Sequence, residues 1–219
     1  MFCKLLLLTL LSSSAFGVIT RLPEEFFVKE RLFSLLSRFD VTSDLEPLAV
    51  ASKRLLAFTP SFDLEDANSQ PLASASSRFF SWGTIADITD PGGKPIGRIE
   101  EEVWRIFPWA EYRLFNASNA LIAIAKMDPV GAEFVLFHPD APEHIYATIS
   151  RPLIHFFRDS WTVRIFDYQV FEENLIDPRL LVMLSVYQTD KDNRDRWKSL
   201  IEEQISTEIN QFEGTRLGF

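Results

Sequence analysis

The chain has 219 residues and a formal net charge of −9, with 47% apolar residues, 20 phenylalanines and only 8 glycines. That length supports one substantial domain, and that apolar share excludes a disordered or low-complexity chain. Scattered basic residues on an acidic background, with no polybasic run, exclude nucleic acid as a partner.

The chain opens with Lys4, the apolar run Leu5 to Leu11, and "SSSAFG", in which Ala15 and Gly17 are the small residues of a cleavage site. Residues 1–17 are therefore predicted to be a signal peptide and 18–25 a linker. The run is too short to cross a bilayer, so no lasting transmembrane helix is expected after cleavage. The expected location is exported, periplasmic or secreted; without cleavage the chain would be membrane-associated through its N-terminus. Cys3 is the only cysteine. The cleaved chain would hold no disulfide and no thiolate metal site.

One pattern then recurs. "FDVTSDLEPLAVAS" begins at Phe39, "FDLEDANSQPLASAS" at Phe62, "ADITDPGGKPIGRI" at Ala86, "YRLFNASNALIAIA" at Tyr112 and "FVLFHPDAPEHIYATI" at Phe134. Each unit has an alternating apolar strand, a turn of Asp, Asn, Gly or Pro, and a second alternating strand. "SWTVRIFDYQVFEE" (160–173) adds strand material. A meander of about twelve strands has to curl or close, so the predicted fold is a closed antiparallel β-barrel rather than a two-sheet sandwich. "DPGGKP" cannot be a phosphate loop, because Pro95 follows Lys94 and no helix opens there. It reads as a turn.

Two helices are predicted at the C-terminal end. The first runs over 177–188, with Asp177 as N-cap and Pro178 in the first helical position. Leu180, Leu181, Val182, Met183, Leu184, Val186 and Tyr187 leave only Ser185 polar, so this helix belongs in the barrel lumen. "QTDKDN" reads as a break, with Asp192 or Asn193 capping a second helix. That amphipathic helix and tail occupy 191–219, with Trp197, Leu200, Ile201, Ile205, Ile209 and Phe212 on its apolar side. It is expected to pack across the barrel wall or mouth.

The strand–turn–strand units, "DITDPGGKPIGRI" and "DPRLLVMLSVYQTD" resemble the LURP-one-related proteins, over residues 26–190. These share a superfamily with tubby C-terminal domains and phospholipid scramblases. The resemblance implies a twelve-stranded barrel around a central hydrophobic C-terminal helix. It also implies a role in binding or membrane-associated interaction. The basic phosphoinositide site of tubby domains has no counterpart here, and neither do the cysteine clusters of scramblases.

The residues offer little chemistry. His138 and His144 flank a turn holding Asp140 and Glu143, without a third firm metal ligand. Asp190 and Asp192 fail the calcium-loop pattern, since its glycine position is Asp195. Glu100, Glu101 and Glu102 alternate in facing and read as a solvated strand edge. There is no nucleophile motif. No catalytic, cofactor or metal residue is assigned, and Asn116 opens a glycosylation sequon. Trp104, Phe107, Trp109, Phe156 and Phe157 are the candidates for lipid or protein contact, with Trp161 nearby. The expected function is non-enzymatic binding. The alternatives are a carrier of a small hydrophobic ligand in a barrel cavity, which a lumenal helix would leave no room for, or an enzyme of unrecognised type.

Overall fold

A computed structural model describes residues 22–31, 37–78, 84–102, 110–128, 130, 132–151, 160–173 and 175–216. At 196, 197, 200 and 207–216 the description is of the backbone. Twelve antiparallel strands close into one barrel: β1 (Glu25–Glu30), β2 (Arg38–Thr42), β3 (Pro47–Lys53), β4 (Ser61–Asp66), β5 (Pro71–Ser77), β6 (Ile85–Thr89), β7 (Pro95–Glu101), β8 (Glu111–Asn116), β9 (Leu121–Met127), β10 (Glu133–His138), β11 (Ala141–Ser150) and β12 (Ser160–Ile165). Each strand pairs with its neighbours in sequence, and β1 closes the ring by pairing with both β2 and β12. Closure leaves no unpaired edge.

The five repeated units are the hairpins β2–β3 through β10–β11. Three of their turns, in β4–β5, β6–β7 and β8–β9, share one construction. Asp66, Asp90 and Asn116 each accept backbone N–H bonds on Oδ1 from the residue four further on, at 2.8, 2.8 and 2.9 Å. Three residues after each of these sits a left-handed residue: Ser69 (φ 60), Gly93 (φ 82) and Asn119 (φ 64). Lys94 N–H is thus committed to Asp90, and "DPGGKP" is a turn. The register then slips by one residue at the start of the second strand, as at Ile88/Thr89 in β6–β7 and Leu114/Phe115 in β8–β9.

The inward faces alternate in size as well as polarity. First strands turn in large side chains, such as Phe39 and Val41, Phe62 and Leu64, and Tyr112 and Leu114. The second strands β3, β5 and β9 turn in small ones: Ala49 and Ala51, Ala73 and Ala75, and Ala123 and Ala125. In β7 the equivalent position is Gly97, also buried. The small residues leave room for the helix that fills the barrel. Helix α1 (Gln169–Glu172) follows β12, and α2 (Pro178–Arg216) is one continuous helix of 39 residues.

Along α2, every residue from Leu180 to Asp190 is buried, most of them completely. Asp177 caps its start as expected, with Oδ1 accepting the Arg179 N–H at 2.9 Å. The expected lumenal helix is therefore present, with Leu180 to Tyr187 at the centre of the core. Its end is not where "QTDKDN" suggested. Residues 188–193 are helical, and i,i+4 contacts carry the helix through them: Gln188 Nε2 donates to Asp192 Oδ1 (2.8 Å), and Asp190 pairs with Arg194 (3.0 Å). Asp192 and Asn193 cap nothing. The segment 160–173 also differs from an all-strand reading. Its second half is α1, whose first amide donates to Asp167 Oδ1 (3.0 Å) and whose Val170 and Phe171 are buried.

Gly97 marks the closest approach of strand and helix. A Cβ there would lie 2.3 Å from the Phe115 carbonyl oxygen and 3.0 Å from Leu180 Cδ1. Both neighbours are held, one in the β8 backbone and the other in the first turn of α2. Gly97→Ala should therefore lower the unfolding free energy by about 1–3 kcal/mol, as overpacking does. Urea denaturation should show this as a shifted midpoint with an unchanged slope.

Candidate functional site

Helix α2 enters the barrel at the hairpin-turn end and leaves at the opposite end, called here the mouth. At the turn end a cleft of about 350 Å³ lies between two hairpin turns and the helix start, lined by Asp90, Lys94, Asn116, Ser118, Asp177 and Arg179. Arg179 is already engaged there: it donates to both oxygens of Asp177 (2.9 and 2.7 Å) and to the Leu72 carbonyl (2.9 Å).

The mouth is the most elaborate polar assembly among the described residues. As α2 passes from apolar lumen to water, its side chains become polar and meet groups at the strand ends. Lys53, ending β3, pairs with Asp190 at 2.6 Å. Glu101, ending β7, takes Lys191, and Glu30, ending β1, accepts from Asn193. Arg151, just past β11, reaches Asp192 at 2.8 Å. Ser77, ending β5, donates to the Tyr187 hydroxyl, which donates to the Pro60 carbonyl, both at 3.1 Å. Fully buried Tyr112 donates to Gln188 Oε1 at 3.0 Å. Burial pushes the Tyr187 hydroxyl up to about 12 and raises Tyr112 well above its ordinary value, so both remain neutral donors.

Glu30, Lys53, Ser77 and Glu101 hold equivalent places at the ends of β1, β3, β5 and β7. Four odd-numbered strands therefore each deliver a polar group to the helix. The next residue in each case turns outward into a second ring. Arg31, Arg54 and Arg78 each pair with the aspartate nine positions on, at Asp40, Asp63 and Asp87. The fourth unit keeps the pair with its charges reversed, as Glu102–Arg113.

Several candidate residues take new meaning. The glutamate triplet does alternate in facing. Glu100 pairs with Arg98 (2.7 Å) and Glu102 with Arg113, but Glu101 is no solvated edge: its side chain is 12% exposed and locked to the helix. Asp190 and Asp192 are spent on cations. His144 Nε2 lies 2.7 Å from Asp167 Oδ2, while His138 Nδ1 accepts the Asp140 N–H at 3.1 Å. The two imidazoles stack edge-on against Tyr146 and share no ligand geometry. No group of three metal-ligating side chains occurs among the described residues. Trp161 is fully buried in β12, with Arg151 5.3 Å over its ring, so it is core and not a contact residue. Trp104, Phe107, Trp109, Phe156, Phe157 and the segment 1–17 lie outside the described residues.

Beyond the collar, several apolar side chains are exposed among the described residues. Leu55 and Leu56, in the loop between β3 and β4, are 71% and 96% exposed, and Val130 beyond β9 is 68% exposed. On α2 every described side chain from Lys198 to Ser206 is exposed, including Ile201 and Ile205. Among the described side chains of the outer helix, 198, 199 and 201–206, none is buried against the barrel. No described helix is long and apolar enough to cross a membrane. No protein-family model matches the chain, and no curated protein matches it.

The collar makes opposite demands on its two glutamates. Burial pushes the Glu101 carboxyl up, but the Lys191 charge and hydrogen bonds from Lys191 and Thr84 outweigh it and hold Glu101 below its ordinary value. Burial raises Glu30; the Ser37 hydrogen bond opposes this and the Asp190 charge adds to it, leaving Glu30 above its ordinary value. Glu101 therefore contributes stability that is present above the unfolded carboxylate range and is lost as pH falls through its folded pKa. The Glu30 contribution is present below the unfolded value and is lost as pH rises through its folded pKa. At pH 7, Glu101→Gln should cost about 1–3 kcal/mol. Glu30→Gln, which keeps an acceptor for Asn193, should cost nothing. Denaturation at pH 7 and pH 4 should show the Glu101 difference shrinking in acid.

Proposed function

We propose that this protein is a non-enzymatic, exported barrel domain of the LURP-one-related kind, acting by binding through its mouth. One observation carries the reading. The helix that fills the lumen emerges at the mouth with Ile201 and Ile205 exposed, where Leu55 and Leu56 are exposed too. A lumen packed from Leu180 to Asp190 leaves no cavity for a small hydrophobic ligand, which favours surface binding over a carrier. Apolar side chains are exposed at the turn end too, at Leu45, Phe166 and Leu175, but at the mouth they adjoin an exposed helix, and such a surface suits contact with a protein or a lipid interface.

Several cations around the mouth are paired with carboxylates, as in Arg31–Asp40, Arg54–Asp63, Lys53–Asp190 and Arg151–Asp192. Contact there is expected to bury apolar surface.

A photocrosslinking amino acid at Leu56 tests this against the same group at Leu45, which is 94% exposed at the turn end. Leu56 should form adducts with its partner in a secreting host, and Leu45 should not. Equal labelling from both ends, or labelling from Leu45 alone, would remove the mouth as the contact surface.

A further inference from the structure

We propose that the outer part of α2 is a self-association element, in which two copies of this chain pair their helices antiparallel across the Ile201–Ile205 face. This rests on the reading of the mouth as the contact surface and names its occupant. Ile201 and Ile205 are 53% and 51% exposed, one turn apart on one helix face. They sit in a stretch whose described side chains are all exposed. A helix in water without tertiary packing is marginal at this length, so an apolar face on it calls for a partner.

Charge selects the partner. The outer helix begins basic, with Arg194, Arg196 and Lys198 against Asp195, and continues acidic, with Glu202, Glu203, Glu208 and Glu213 before Arg216. A parallel copy would set like charge beside like. An antiparallel copy sets the basic start beside the acidic end, and the same match occurs twice under twofold symmetry. With the axis midway between Ile201 and Ile205, Lys198 lies level with the partner subunit's Glu208. The overlap is about 30 Å long at the helical rise.

The same arrangement accounts for the apolar loop. Lys53 and Pro60 fix that loop at the level of Asp190 and Tyr187, where the last turns of an antiparallel partner helix arrive. Leu55 and Leu56 are then covered by the second copy. An anionic membrane suits the helix less well, because interfacial helices that bind one carry basic polar faces.

Analytical ultracentrifugation of the protein over a wide concentration range tests the pairing. The expected mass is twice that of one chain. Ile201→Glu/Ile205→Glu should sediment as a monomer with unchanged thermal unfolding of the barrel, read by circular dichroism. Lys198→Glu should weaken the dimer by about tenfold or more, and adding Glu208→Lys in the same chain should restore it. A wild-type monomer throughout, or a dimer indifferent to the isoleucine pair, overturns the inference. So does a monomer that floats with phosphatidylcholine vesicles and loses flotation in the isoleucine variant, an outcome that leaves the mouth as a binding surface intact.

Discussion

The packing of one apolar helix against the inner faces of twelve strands is the constraint from which the other features follow. A barrel this wide would be hollow if its inward side chains alone had to fill it. Helix α2 supplies the missing volume, with Leu180, Leu181 and Leu184 buried, each contributing roughly 2 kcal/mol of apolar burial. The strands accommodate it by pairing large first-strand residues with small second-strand ones. Aromatic contacts tie the two together, as where Phe62 meets Phe39 at 5.8 Å and Tyr187 at 4.9 Å. Gly97 is the extreme case, where helix and neighbouring strand leave no room even for a methyl group.

A helix inside a barrel has to leave it, and the exit creates the second constraint. Polar side chains of α2 cannot be left unpaired as they cross from lumen to water. The repeat meets this need by ending β1, β3, β5 and β7 in Glu30, Lys53, Ser77 and Glu101. Ion pairs of this kind add little net stability when both partners are exposed. Here Asp190 is 4% exposed and Glu101 12%, so losing one partner strands a buried charge. The collar fixes how far α2 emerges, and with it which apolar residues reach the surface. That is the link from core packing to the proposed contact surface.

Much of this architecture was legible in the sequence, because its signals are local. Period-two alternation and turn chemistry at Asp66, Asp90 and Asn116 mark the hairpins, and the apolar run 180–187 marks the lumenal helix. Two features were not legible for the same reason. "QTDKDN" reads as a break if polar residues mean solvent, whereas here they face the charged rim of a barrel. Glu101 reads as solvated because its partner, Lys191, is far away in sequence and sits on the helix. A signal existed in the i,i+4 spacing of Gln188 with Asp192 and Asp190 with Arg194, which supports an unbroken helix. The five aromatics first considered for contact fall outside the described residues, and the mouth was found instead through the exposure of Leu55, Leu56, Ile201 and Ile205.

The central claim, that α2 is the core of the barrel and not an appendage to it, makes a direct demand on amide hydrogen exchange. The amides from Leu181 to Asp190 should be among the slowest in the protein, exchanging only through global unfolding and as slowly as those of the central strands. Exchange of that segment at rates well above those of β4 or β8 would contradict a helix locked in the lumen.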